Sequence, residues 1–515
     1  MNVTPASGRR SGATPAATPV RKWAALAVLC ASLLLAGIDL TVLHVAVPAL
    51  SQQLLPTGTE LLWIVDVYPL SVAALLVTFG TLADRLGRKR LVLAGLVVFG
   101  VASAGAAASS TATQLIIARG GLGVGAAMFM AATVAIIRHV FVDARQRALA
   151  IGIWTAANSV GAASGPALGG WVLQHWWWGA VFLINLPVVV IAVIAGFWLL
   201  PESRDPAPRR WDGVSALMSI VGLFAIVYAL KHVADQLSVD PIGVVIGGGG
   251  LALLAIFVYR QRRVRQPLVD LSLFADRRFS VATLCVLVCF GCYAALLFFA
   301  SQLLQLVAGH GPLQAGLALV PLAVANAAGA MLAPWLARRG GYRWVIAGAL
   351  LGFAAGFAGL AVTTAGSTGT GATSLIAWFV LAGCGAGMVM TLGADAIMST
   401  ATVDRAGEAG AIQETSFELG SGLGIAVLGT TLVITYRAAL PTFPGLPAAA
   451  NAQVHESLGA ATKLAAPHGT RISDVINAAQ HAFTHGFAAA SATAAATLTI
   501  TAGLVTYFLR TKRDH

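Results

Sequence analysis

Runs of about 18 or more apolar residues, separated by short clusters rich in Arg, Lys, Gly, Pro or Asp, recur along the chain from Trp23 to Arg510. At about 1.5 Å of rise per helical residue, each run is long enough to cross roughly 30 Å of hydrocarbon. The pattern predicts 14 spans, at about 23–50, 60–82, 91–109, 113–138, 145–172, 178–200, 212–232, 241–259, 279–306, 314–337, 342–364, 373–397, 408–436 and 484–510. Gly247 to Gly250 lower helix propensity in the eighth, although lipid tolerates glycine better than water does. One long connection, from Arg437 to Thr484, holds two amphipathic stretches near Ala448–Ala465 and Ile472–Phe483, separated by Pro467 and Gly469. It predicts a helical hairpin, read either as a cap over the mouth of a pathway or as an inert spacer.

Composition agrees with a chain solvated by lipid. The 515 residues are 58% hydrophobic and 10% charged, with a mean hydropathy of +0.82, against about 45–50% apolar and 25% charged in soluble domains. A net charge of +12 would raise nucleic acid as a partner for a soluble protein. The placement of the charges removes that reading. Of the 32 Lys and Arg, 27 fall on alternate connections and at the termini, four on the other connections, and one, Arg119, inside a span. The asymmetry follows the positive-inside rule and predicts a multi-pass protein of the cell membrane with both termini cytoplasmic. The basic residues also suit contact with anionic lipid head groups.

The Ser-, Thr-, Pro- and Ala-rich start of the chain reads as a disordered cytoplasmic tail. Arg21 and Lys22 followed by an apolar run imitate a signal peptide, but that run is long, carries Asp39 and reads as span 1. Cys30, Cys285, Cys289, Cys292 and Cys384 all lie in apolar spans without zinc or redox spacing, and read as small packing residues. No metal or cofactor site is expected.

Charge near the middle of a bilayer costs roughly 2.5–3.5 kcal/mol on insertion scales, so each retained charge needs a partner, a wet cavity or a neutral form. The positions are Asp39 in span 1, Asp66 in span 2, Arg119 in span 4, Asp395 near the end of span 12, and Glu408, Glu414 and Glu418 in span 13. Acids outnumber the base, which suits proton exchange or neutralisation of a cationic substrate. Glu414 and Glu418 share one helical face. Glu408 and Asp395 sit near the cytoplasmic boundary and read as interfacial residues. His44 has two readings, an extension of a proton path or a packed neutral ring.

Between spans 2 and 3 the chain reads GTLADRLGRKR, with Gly80, Asp84, Arg85, Gly87 and Arg88 at defined positions. It resembles the signature loop of the major facilitator superfamily and matches at every fixed position. In span 5, GAASGPALGG places Gly161, Gly165, Pro166, Gly169 and Gly170 at spacings that allow close helix packing. This segment resembles the motif of the antiporters in that superfamily. LIIARGGLGVGAA in span 4 puts Arg119 where the family carries an arginine linked to proton transfer. IDLTVLHVAVPAL in span 1, WIVDVYPL in span 2 and QETSFELGSGLGIAVLG in span 13 are similar to the fourteen-span drug:proton antiporters, with His44 in place of the usual Asn.

The resemblance implies an all-α integral membrane fold of two six-helix bundles built from inverted repeats, plus two inserted helices, with a substrate cavity between the bundles. The expected division is a tail at 1–21, an N-terminal bundle at 22–200, the additional pair with its linkers at 201–278, a C-terminal bundle at 279–510 including the hairpin at about 437–483, and a tail at 511–515. It implies proton-coupled export of amphipathic or cationic compounds by a monomer, with Asp39, Asp66, Glu414 and Glu418 recognising cations and coupling protons beside Arg119. The loop holding Asp84 would be a conformational gate. Trp63, Tyr68, Trp154, Tyr293 and Phe417 are candidate cavity aromatics. Two transport alternatives stay open, a narrow exporter of one antibiotic or metabolite and a proton-coupled importer; the span-5 motif argues against the importer. No nucleophile–base pair or G-x-x-x-x-G-K-[ST] phosphate loop supports an enzyme or an ATP-driven pump.

Overall fold

The computed structural model describes residues 19–204, 211–236, 240–264, 267–365, 372–400, 406–443, 446–465 and 471–509. Among them every regular element is a helix. That is the expected solution in lipid, where a helix satisfies its own backbone and an open sheet edge cannot. The spans are α1 (Pro19–Leu54), α2 (Gly58–Leu86), α3 (Arg88–Ala107), α4 (Ala112–Val140) and α5 (Ala144–His175). They continue with α6 (Ala180–Leu199), α7 (Gly213–Gln236) and α8 (Pro241–Gln261), then α9 (Arg277–Val307) and α10 (Pro312–Gly340). The series closes with α11 (Tyr342–Ala365), α12 (Ala372–Thr400), α13 (Ala406–Ala439), two short helices α14 (Ala448–Glu456) and α15 (Leu458–Ala465), and α16 (Arg471–Phe508).

Among the described residues, thirteen helices are long and apolar enough to cross a membrane. The fourteenth, α5, falls short in hydropathy yet lies against α1 along its length. Its glycines and polar residues lower hydropathy because the helix packs on protein. The tail boundary lies earlier than 21, since α1 starts at Pro19; residues 1–18 and 510–515 are outside the described residues.

The connection after α13 also departs from the expected hairpin. The first amphipathic stretch breaks at Ser457, whose extended backbone separates α14 from α15. The second is the outer turns of α16, continuous with the last span. Pro467 and Gly469 lie outside the described residues.

Local chemistry sets the element ends. Thr57 caps α2 through its side chain, which accepts from Glu60 N at 3.1 Å, while the Glu60 carboxylate accepts from Thr57 N at 2.9 Å. Gly87 separates α2 from α3 with φ of 110°, a region side chains avoid, and donates its N–H to Ala83 O. The inserted pair α7–α8 is clamped at both ends. Arg260 donates to Asp212 at 3.0 Å, and His232 pairs with Asp240 at 3.2 Å.

Partial burial works against the Asp212 carboxylate, but hydrogen bonds from Arg260 and Ser215 hold it below the usual carboxylate range. Stability from a depressed carboxylate is present above its unfolded pKa of about 3.9 and is lost as pH falls through the folded value. Limited proteolysis of the α7–α8 pair is therefore expected to accelerate on acidification below about pH 4, and D212N should remove that pH dependence.

α1–α6 pack together as one bundle, with α1 on α5, α2 on α4 and α3 on α4 and α6. α9–α13 and α16 form the second, with α9 on α13, α10 on α12 and α11 on α16. The bundles meet through α2 with α13, α5 with α10, and α1 with α9. α7 touches α2 and α13, so the inserted pair sits at the seam between bundles.

Candidate functional site

The bundle seam is shut at the arginine-poor end. There α5 meets α10 through Pro312–Ala318, with little contact along the rest of α10. A Cβ on Gly170 would lie 2.7 Å from Leu313 Cα and from Pro312 O, and one on Gly316 would meet the Pro166 carbonyl. α2 and α13 approach from Gly58 and Val433 to Leu70 and Gly422. The same end carries α14, where Glu456 accepts from Gly58 N at 3.1 Å and from Arg437 at 2.6 Å, and the Tyr436 hydroxyl donates to Val454 O at 2.8 Å. α9 ends there in a π-helical turn, Leu303–Val307, whose Gln305 Nε2 donates to Val45 O of α1 at 3.0 Å.

Span 5's glycines do what their spacing suggests. Gly161, Gly165 and Gly169 face the α1 backbone at Leu34, Ile38 and Val42, and Gly165 lies directly against the Thr41 hydroxyl, which itself donates to Ala162 O at 2.9 Å. Gly170 belongs to the contact between bundles. In the loop after α2, Asp84 pairs with Arg88 at 2.7 Å. A Cβ on Gly80 would meet open space.

This packing positions the intramembrane charges. Asp39 of α1 is fully buried and forms an ion pair with Arg119 of α4, itself fully buried. Asn185 of α6 donates to Asp39 Oδ1 at 3.2 Å and to Ser103 Oγ at 3.1 Å. Arg119 also donates through Nε to Ile64 O of α2 at 3.1 Å, and its guanidinium lies 4.7 Å from the Tyr68 ring centroid. Four helices of one bundle thus converge on a single charge pair.

Asp66, one turn beyond Trp63 on α2, is fully buried and pairs with Lys231 of α7 at 2.8 Å. This corrects the charge count from sequence, which placed Lys231 on a connection. Lys231 is 1% exposed, so among the described residues two bases, Arg119 and Lys231, are buried inside spans. The lysine looked interfacial because YALKHVADQ begins where the apolar run fades, and α7 continues to Gln236. Asn185 and Ser103 were also missed; their signal was a lone amide and a lone hydroxyl in apolar runs.

Glu418 is buried and Glu414 half-buried. The two glutamates lie on α13 one to two turns to the arginine-rich side of Gly422, which meets Leu70 of α2. Tyr68 and Trp154 are buried with no hydrogen-bond partner for the hydroxyl or the indole N–H. Tyr293 and Phe417 are half-buried, and Phe417 packs on Phe290 at 5.0 Å. His44 is buried 5.8 Å from the Phe298 ring, and neither ring nitrogen has a hydrogen-bond partner among the described residues. Asp395 is exposed and Glu408 half-buried, as expected of boundary residues. Among the described residues no group of three His, Cys, Asp or Glu could hold a metal ion.

Comparison with known proteins gives a consistent result. Residues 29–425 match the family model described as Major Facilitator Superfamily. The chain is 38% identical to the multidrug efflux pump LfrA of Mycolicibacterium smegmatis, over 95% of this chain and 96% of that protein. It is 36% identical to the methyl viologen resistance protein SmvA of Salmonella typhimurium, over 92% of this chain and 95% of that one. Among solved structures, a bacterial homolog of the human lysosomal transporter Spinster, in an inward-facing and occupied conformation, shares the fold with a TM-score of 0.65 at 17% identity, covering 98% and 99% of the two chains.

Proposed function

The chain belongs to the major facilitator superfamily, and from that premise we propose that it is a proton-driven exporter of amphipathic and cationic compounds in its multidrug-efflux branch. The observation that carries the reading is the set of four carboxylates kept inside apolar helices, Asp39 within the N-terminal bundle and Asp66, Glu414 and Glu418 on α2 and α13, the helices that join the two bundles. A carboxylate in that setting persists with a partner or in its neutral form, so it can hold a cation, a proton or a tethered base in turn.

The arginine-rich end, with both termini, faces the cytoplasm in this reading. A monomer takes up lipophilic cations between the bundles from the arginine-rich end. Rocking of the bundles then exposes the site at the arginine-poor end, and protons arriving there neutralise the acids and release the cargo. Arg119 holds Asp39 in one conformation and frees it in another, coupling proton affinity to cargo affinity. Asp84 and Arg88 form and break their pair as the opposite end closes, and the aromatic residues beside the acids supply cation–π surface. LfrA and SmvA are named for multidrug efflux and methyl viologen resistance, which supports organic cations as cargo.

Single amide replacements at Asp39, Asp66, Glu414 and Glu418, assayed in inside-out vesicles with ethidium and methyl viologen, test this directly. Uncoupler-sensitive efflux of at least one cation is expected to fall about tenfold or more in D39N, about 1.4 kcal/mol of lost coupling. Unchanged transport in all four variants would remove the site assignment. Proton-driven accumulation in the opposite direction would make the protein an importer, and movement of one scaffold alone would make it a narrow exporter.

A further inference from the structure

The Lys231 ammonium sits in a setting that would suit a small organic cation. Its Nζ lies 2.8 Å from Asp66 Oδ1 and 3.8 Å from the centroid of the Trp63 ring. A carboxylate and an aromatic face around one positive charge are the two elements by which proteins recognise ammonium ligands. The indole is held parallel to Phe224 of α7, interplanar angle 1° and centroids 6.2 Å apart. A small apolar cluster of Leu70, Val227 and Ala426 closes this corner among α2, α7 and α13.

The element that delivers the lysine lies at the edge of the fold. Most of the apolar length of α7, and nearly all of that of α8, is left uncovered by the rest of the protein. Its charge nevertheless reaches the interior, at a cost that neighbouring lipid-facing positions avoid.

The two buried pairs differ in strength of attachment. Arg119 grips both Asp39 and the Ile64 carbonyl, and Asp39 is also held by Asn185. Lys231 makes one hydrogen bond, to Asp66 Oδ1, while Oδ2 accepts from no other residue. An ammonium on a flexible stem with a single acceptor exchanges for another cation more readily than a forked guanidinium.

Resting on the export reading above and deepening it, we propose that Lys231 is a tethered competitor for a cation site formed by Asp66 and Trp63, and that cationic cargo binds there by displacing it. The residue thereby sets selectivity. A cargo must offer a positive charge and a flat or lipophilic body to outcompete the lysine, and release is assisted because the lysine returns to Asp66.

The test is equilibrium binding of tetraphenylphosphonium to purified full-length protein in lipid nanodiscs, with ethidium export by the same variants followed in vesicles. K231M is expected to bind the cation about tenfold tighter than wild type, and K231Q, which is polar and of similar length, to tighten it in the same direction. K231R should bind no tighter than wild type, and D66N/K231M should lose the gain. A lysine that only braced the fold would produce no gain dependent on Asp66. Wild type that binds and exports cations, together with K231M or K231Q that bind no tighter, overturns the competitor role and leaves export standing. Wild type that neither binds nor exports any cation overturns the export reading and this inference with it.

Discussion

Replacement of Arg119 by methionine is expected to abolish proton-linked efflux and to cost the protein several kcal/mol of stability. The guanidinium is fully buried, pairs with Asp39, donates to Ile64 O and lies over the Tyr68 ring. R119M removes all three contacts and leaves the fully buried Asp39 carboxylate with one amide donor, Asn185. Removing one partner of a buried pair typically costs about 3–5 kcal/mol, because the survivor is left as an uncompensated charge. D39N/R119M replaces both charges by neutral groups, so it should recover most of the melting temperature lost in R119M while remaining inactive. Thermal unfolding in detergent and efflux in proteoliposomes separate the two effects. Wild-type efflux by folded R119M would show that the pair is structural only.

The position of this pair was largely legible from the chain. Asp39 and Arg119 each interrupt an apolar run, and the cost of such an interruption marks the residue without any knowledge of the fold. Gly161, Gly165 and Gly169 were legible for a related reason, since their four-residue spacing predicts a smooth helix face and the face indeed lies on α1.

What could not be read were pairings between distant elements near span ends. Lys231 stands 165 positions from Asp66. Its apolar run weakens just before the interface, where a lysine costs little and looks ordinary. Only the packing of α7 into the groove between α2 and α13 turns it into an interior charge. The connection after α13 failed for another reason: periodicity found its amphipathic stretches, but an amphipathic outer turn reads the same whether it is free or the extension of a span. Continuity of α16 is set by its packing on α11 and α13.

Two glycines five positions apart in one motif, Gly165 and Gly170, should fail in different ways, and the contrast tests alternating access. Gly165 lies inside the N-terminal bundle, where any side chain would overlap the Thr41 hydroxyl and crowd Val42 N and Ile38 O. Separating α1 from α5 there dislodges the helix that carries Asp39, so G165V should lose both folding yield and cargo binding. Overpacking of this kind costs about 1–3 kcal/mol or more.

Gly170 instead faces Leu313 Cα and Pro312 O across the seam between bundles. Both are backbone atoms, which cannot swing aside as the tip of a side chain would. A valine at 170 therefore has to part the bundles at the arginine-poor end while leaving each bundle intact. G170V is expected to fold and to bind cationic cargo, yet to populate the conformation open at that end. A cysteine introduced at Ala315, which is fully buried beside this contact, should react with a membrane-impermeant maleimide about tenfold faster in the G170V background. Net efflux should fall by a similar factor, because about 1.4 kcal/mol of bias toward one state makes the return step the bottleneck. Unaltered labelling in a well-folded G170V protein would show that this contact does not govern closure, whereas faster labelling with retained binding would place the outer gate at a pair of helix backbones kept close by the absence of one side chain.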